Sequence, residues 1–156
     1  MINVPKSKFC AEEVKYLGYV LTRAGIRPQN KNVSAILALK PPISVKPLRH
    51  FLGLVQYYQD MWEKRSKMLA PLTDLLGECG ATKTKKRPIR TWHWDESHQK
   101  AFEDAKATLA RDVTLAYPDF TKGFILYTDA SSRQLGAVIV QENRPIAFFS
   151  RKLTRA

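Results

Sequence analysis

The chain has 156 residues, 44% hydrophobic and 26% charged, a globular composition of a length that suits one domain or two small ones. No apolar run approaches the roughly 20 residues of a membrane span and residues 1–9 lack the apolar core of a secretion signal, so neither membrane insertion nor secretion is expected. The formal charge is +12, and it is uneven: residues 1–93 hold 17 basic and 6 acidic side chains, residues 94–156 hold 9 and 8, so a polyanion is expected on the first part, with a merely basic soluble surface as the alternative.

In chain order, residues 8–27 read as extended structure, a hairpin or β-ribbon, from Phe9, Val14, Tyr16, Leu17, Tyr19, Val20 and Leu21, with Gly25 marking a tight turn before Ile26. From Asn30 the period becomes helical through Val33, Ile36 and Leu37, until Pro41-Pro42 stops it. Ser44 can cap the next helix, whose apolar face is Leu48, Phe51, Leu52, Val55, Tyr58 and Trp62. A further helix is predicted from Pro71 through Leu72, Leu75 and Leu76 to Gly77. Residues 77–91 contain glycines, a proline and a basic run, Lys83, Lys85, Lys86, Arg87 and Arg90, and read as a linker. Asp95 can cap a helix reaching Ala110, with Phe102, Ala105 and Leu109 on one side. Strands follow at Phe124–Thr128, Gly136–Gln141 and Pro145–Phe149.

Few residues carry obvious chemistry. On the helix from Val45, the residues Arg49, Gly53 and Tyr57 recur at four-residue steps along one stripe. A guanidinium for phosphate or base-edge acceptors, a glycine that admits another backbone and an aromatic ring to lie on sugars suit a nucleic-acid groove, whereas a surface helix with an incidental glycine is the plainer reading. Asp129 ends an otherwise apolar strand, where a carboxylate can hold Mg²⁺ or simply serve a turn. His93 and His98 lack zinc-ligand spacing and are expected as polar surface or caps, with Trp92 and Trp94 as packing. Cys10 and Cys79 are too few and too distant for a disulfide framework and are expected as reduced thiols. Ser131 and Ser132 stand in no histidine–acid pattern, so nucleophilic catalysis has no support.

The order of the motifs nevertheless resembles a known family. Glu13-Val14-Lys15-Tyr16-Leu17-Gly18-Tyr19-Val20, then Leu48-Arg49-His50-Phe51-Leu52-Gly53-Leu54-Val55-Gln56-Tyr57-Tyr58 and Ala70-Pro71-Leu72-Thr73-Asp74-Leu75-Leu76 look like the end of a reverse transcriptase. Trp94, Tyr117-Pro118-Asp119, Thr128-Asp129-Ala130-Ser131, Gly136-Ala137-Val138, Gln141 and Ser150-Arg151-Lys152-Leu153 resemble the ribonuclease H region that follows it. The family is the Pol polyprotein of Ty3/gypsy-type LTR retrotransposons and related retroviruses.

The resemblance implies an α+β chain: the end of the palm with its primer-grip hairpin over 1–28, thumb helices over 29–77, a basic linker over 78–93, and over 94–156 a connection helix with three antiparallel strands of a truncated ribonuclease H-like fold. Tyr16, Leu17, Gly18 and Tyr19 match the hairpin that holds the primer's 3′ end, and Arg49, Gly53, Gln56 and Tyr57 match the thumb face toward the template–primer duplex, with Lys83, Lys85, Lys86 and Arg87 beside the nucleic-acid path. Asp129 matches the first metal-binding carboxylate of the ribonuclease H site, which uses Mg²⁺ in the parent enzyme. The implied partners are an RNA–DNA hybrid or template–primer duplex and the rest of the polyprotein, in an intracellular setting of cytoplasm, virus-like particle or nucleus. No Tyr-x-Asp-Asp occurs, Gln134 replaces a usual glycine, and the sequence stops before the later ribonuclease H carboxylates. The expectation is therefore a fragment that keeps template–primer binding elements, is inactive alone and holds no Mg²⁺ stably. The alternatives are a non-catalytic nucleic-acid-binding or assembly protein derived from a retroelement, and an unstable remnant.

Overall fold

The computed structural model describes residues 7, 9–79, 91–111, 113–132 and 134–153. Among these, the chain is α+β, with two three-stranded antiparallel sheets and five α-helices between them in sequence. The first sheet is a meander of β1 (Glu13–Tyr16), β2 (Tyr19–Thr22) and β3 (Gly25–Pro28). It exceeds the expected hairpin by one strand, and Gly25 both closes the tight turn through Arg23 and Ala24, as expected, and opens that strand. Leu115 lies along the outer edge of β3 and exchanges both backbone hydrogen bonds with Ile26, at 2.8 and 2.9 Å. Gly25 sits at φ +144°, where an added Cβ would meet the Leu115 carbonyl oxygen at 2.0 Å. The glycine is thus required by a close backbone approach.

The helices are α1 (Asn30–Leu37), α2 (Val45–Tyr57), α3 (Arg65–Met68), α4 (Ala70–Cys79) and α5 (Glu96–Leu109). Ser44 occupies the N-cap of α2 in extended conformation, but its side chain makes no capping bond. The helix ends at Tyr57 rather than Trp62, because a 3₁₀ turn over Gln59–Met61 follows and Trp62 is extended. Tyr58, Met61 and Trp62 are still buried, which explains why the apolar pattern outran the helix. The next long helix starts at Ala70 and continues past Gly77 to Cys79, and the short α3 before it was not foreseen. Asp95 caps α5 as expected, accepting from the backbone amides of Ser97 (2.8 Å) and His98 (3.2 Å).

One core joins these helices. Leu48, Phe51 and Val55 of α2, Leu72 and Leu75 of α4 and Phe102 of α5 are its largest fully buried side chains, each contributing about 1.5–3 kcal/mol by leaving water. Phe51 and Phe102 meet with ring centroids 4.5 Å apart, and the Lys106 ammonium lies 4.9 Å above the Phe102 ring. Packing therefore crosses the boundary expected near residue 93, since α5 closes the core of the helices that precede it.

The second sheet runs β4 (Ile125–Ala130), β5 (Gln134–Gln141) and β6 (Arg144–Lys152), paired in that order. Each strand is longer than expected because the pairing continues into flanking polar residues, with a register shift at Ile139/Val140. Strand β6 rests on the helical region: Ser150 Oγ accepts from the Ser66 amide at 2.9 Å, Arg65 donates to the Ser150 carbonyl at 3.2 Å, and Lys152 pairs with Asp74. Buried Gln141 ties down the turn before β4, accepting from the Asp119 amide and donating to its carbonyl, both at 2.8 Å. Residues 115–117 link the two sheets, for beside the Leu115 bridge Ala116 donates to the Pro145 carbonyl at 2.8 Å and Tyr117 to that of Gly25 at 3.4 Å. Cys10 and Cys79 are free thiols, and no described helix is long and apolar enough to cross a membrane.

Candidate nucleic-acid interface

Helix α2 turns Leu48, Phe51 and Val55 into the core and leaves Arg49, Gly53, Gln56 and Tyr57 exposed on the other side. The stripe read from the sequence therefore lies on the surface. A Cβ added to Gly53 would meet nothing within 4 Å, so no packing neighbour demands the glycine. A glycine inside an exposed helix costs about 1 kcal/mol relative to alanine, and here nothing within the fold offsets it. Gln56 is held in place, donating to Gln59 Oε1 and accepting from the Arg65 guanidinium. Burial lowers the Arg65 pKa, against the opposing pull of Asp60.

Of the hairpin residues, Leu17, Gly18 and Tyr19 meet the C-terminal end of this helix, while Tyr16 is exposed on β1. The β1–β2 turn consists of Leu17 (φ +43°) and Gly18 (φ +80°), the two left-handed positions of a tight hairpin turn. Leucine is an uncommon occupant of such a position, and its backbone strain there is of order 1–2 kcal/mol. Three phenols surround the turn. Tyr57 Oη donates to the Leu17 carbonyl, and Tyr58 Oη donates to the Gly18 carbonyl at 3.3 Å while accepting from Asn32 Nδ2 at 3.1 Å. Tyr19 Oη returns a bond to the Tyr57 carbonyl at 2.8 Å, which satisfies an acceptor left open by the end of α2. The Tyr19 and Tyr57 rings stack at 5.5 Å, with Tyr58 edge-on to both. Burial, then the Tyr57 and Tyr58 phenols and the Asp60 carboxylate, push the Tyr19 phenol up to about 12, so it stays a donor at neutral pH. Beside this joint lies an open cleft of about 560 Å³, bordered by Gly18, Asn32, Ile36, Leu54, Tyr57 and Tyr58.

Tyr57, at the end of the stripe, donates its hydroxyl to the Leu17 carbonyl and keeps half of its side chain exposed. The sequence also missed Asn32 and Gln29, which donate to Tyr58 Oη and to the Tyr19 carbonyl, because a polar residue at a helix start carries no mark of a partner from another element. Lys83, Lys85, Lys86 and Arg87 lie outside the described residues.

Asp129 is exposed on β4, opposite Gly136, in a cross-strand row that continues to Ser150. Among the described residues it belongs to no group of three or more potential metal ligands. Mg²⁺ takes octahedral oxygen coordination, and one carboxylate supplies a single corner, so these residues alone do not fit the ion. The one such group among the described residues is His93, Asp95 and His98, whose ligand atoms lie within 4.8 Å of one another. Two of its members serve the start of α5: Asp95 Oδ1 accepts from two amides and from Ser97 Oγ, and His98 Nδ1 accepts from the Asp95 amide at 3.2 Å. The capping role expected for the histidines is thus filled by His98, which is buried rather than on the surface.

Residues 94–156 match the model of the RNase H-like domain found in reverse transcriptase. Over nearly the whole chain the sequence is 39% identical to the retrovirus-related Pol polyprotein from transposon opus of Drosophila melanogaster (99% of this chain, 16% of that polyprotein). It is 38% identical to that from transposon gypsy of the same organism (97% and 15%), and 33% identical to the transposon Tf2-3 polyprotein of Schizosaccharomyces pombe (100% and 11%). The chain thus spans about one-sixth or less of these polyproteins. Its fold is similar to the foamy viral protease-reverse transcriptase in complex with RNA/DNA hybrid, with a TM-score of 0.77 at 22% identity over 97% of this chain and 20% of that one. The same score and identity are found for that protein in complex with dsDNA, over 97% of this chain and 30% of that one.

Proposed function

From a likeness to transposon Pol polyproteins that runs the length of the chain, we infer that it is the segment of an LTR-retrotransposon Pol protein, of the Ty3/gypsy type, that joins the end of a reverse transcriptase to its ribonuclease H. Its own task is to hold a template–primer or RNA–DNA hybrid duplex. The turn Leu17–Gly18 with Tyr16 and Tyr19 meets the primer's 3′ end, and Arg49, Gly53 and Gln56 meet the minor groove. Residues 1–28, 29–77, 78–93 and 94–156 are then the palm end, thumb, linker and ribonuclease H start. RNA-directed DNA synthesis and degradation of the hybrid's RNA belong to the whole polyprotein, where Asp129 would be one of several carboxylates around Mg²⁺.

The observation that carries this reading is Gly53, a glycine at mid-helix with open space over it, flanked on an exposed face by Arg49 and Gln56. Its cost to the helix goes to something outside the fold, and a closely approaching nucleic-acid backbone is a partner that +12 of charge would favour. Recognition of this kind uses backbone charge and groove shape, with little sequence preference. Fluorescence anisotropy with an RNA–DNA hybrid across a salt series tests it. Arg49→Ala is expected to weaken binding and reduce the salt slope by about one; unchanged affinity would overturn the reading.

A protein partner is favoured by a second observation. Leu126, Ile139, Leu135 and Phe149 share one face of the second sheet by register and are all exposed, an apolar surface suited to the remainder of the polyprotein.

A further inference from the structure

The two elements assigned to the duplex are not independent, and the bonds between them run both ways. Leu17 is strained and mostly exposed, and the cleft opens beside Gly18, so close packing does not enclose the turn. Residues in such backbone positions persist where their surroundings fix them. Here that is done by the Tyr57 phenol on the Leu17 carbonyl, the Tyr58 phenol on the Gly18 carbonyl, and the Tyr19 phenol on the last carbonyl of α2. A Cβ on Gly18 would lie 3.1 Å from Asn32 Nδ2, 3.2 Å from Tyr57 Cε1 and 3.3 Å from Tyr58 Oη, so the approach is already at contact distance.

We propose that Tyr57 is a positioning residue: by donating to Leu17 while Tyr19 bonds back to its carbonyl, it latches the β1–β2 turn to the end of α2, setting the spacing between the primer-end contact and the groove contact. Tyr57 then acts on nucleic acid through the turn rather than by lying on the sugars. The proposal rests on the reading of that turn as the holder of the primer's 3′ end. It predicts that breaking the latch damages recognition of a recessed 3′ end more than recognition of uninterrupted duplex, because only the former needs both contacts at a fixed separation.

The test compares Tyr57→Phe, which keeps the ring stack and loses the Leu17 bond, with Tyr19→Phe, which loses the returning bond, each in the full chain. Anisotropy is measured on a hybrid with a recessed 3′ end and on a blunt hybrid of equal duplex length, and hydrogen exchange is followed at the Gln29 amide, which donates to the Gly18 carbonyl at 3.0 Å. Each variant is expected to lower the recessed-to-blunt affinity ratio about three- to ten-fold, the size of one neutral hydrogen bond, and to speed Gln29 exchange by a similar factor while exchange within α2 stays as it was. Arg49→Ala should lower both affinities alike. An unchanged ratio for Tyr57→Phe, or unchanged exchange at Gln29, overturns the latch. If Arg49→Ala alters neither affinity, the nucleic-acid reading fails by itself, and exchange at Gln29 still decides whether the turn is latched.

Discussion

Phe102 has no exposed surface and lies ring to ring against Phe51, whereas every residue of β4 from Ile125 to Ala130 is exposed. The contrast holds for the two regions as wholes. The buried cluster runs from Ile36 to Leu109 and takes its members from α1, α2, α4 and α5 together with the segments that link them, so the helical region closes on itself. The second sheet gains its order from pairing and from the footing of Ser150 on α3, with one apolar face left open. Where the family match and the packing divide the chain differently, at α5, packing identifies what can fold together: the helix lies within the matched residues 94–156 and is buried against the helices that precede it.

Removing the keystone of the closed region should have the largest effect. Phe102→Ala is expected to cost about 3–5 kcal/mol, a large share of the roughly 5–15 kcal/mol that holds a typical domain, read as a lower urea midpoint by circular dichroism. Gly25→Ala attacks the seam between the regions. Its Cβ would collide with the Leu115 carbonyl, and an expected loss of about 1–3 kcal/mol or more should be accompanied by faster exchange of the Ile26 and Leu115 amides. Gly53→Ala should do the reverse of a usual core mutation, raising stability by about 0.5–1 kcal/mol while weakening hybrid binding, and a variant that is more stable yet binds equally well would sink the groove assignment. Leu126→Ala, on the open face, should stay within about 0.5 kcal/mol, and a larger loss in the same urea titration would show that this face is covered in solution.

Acid adds a directional check on the closed region. The side-chain bond from Ser97, then the His98 amide, hold the Asp95 carboxyl down to about 2, against an ordinary 3.8. A depressed carboxyl contributes stability above its unfolded value and loses it as pH falls toward the folded one. Urea midpoints of the wild type should therefore fall more steeply than those of Asp95→Asn between pH 4 and pH 2 (about the span of the two values), and the two curves should converge at the acid end.

What could be read from the sequence was local. The apolar period of α2, the Asp95 cap and the three strands of the second sheet all announce themselves within a few residues. The apolar pattern overruns the end of α2 because Tyr58, Met61 and Trp62 are buried outside the α-helix, Met61 in the 3₁₀ turn, and burial is what the period reports. The latch was illegible for a different reason: Tyr57 stands at the same four-residue step as Arg49 and Gly53, and nothing near it reveals a carbonyl 40 positions earlier. Gly25 reads correctly as a turn glycine, but its second constraint, the Leu115 carbonyl, lies far along the chain and leaves no local mark.

That seam also governs the order of events when the chain is made. Tyr117 reaches back 92 positions to Gly25, and ribosomes add about 5–20 residues per second, so β3 waits about 5–20 s for the segment that covers its edge. The helices can pair early through contacts between neighbours, while the outer edge of β3, already paired with β2 on its other side, stays open until the seam arrives. Long-range closures of this sort slow folding and leave strand edges open to other chains. A nascent chain halted between α5 and Leu115 should accordingly be protease-resistant in its helices and sticky at β3, and adding the next few residues should cure the second property without changing the first.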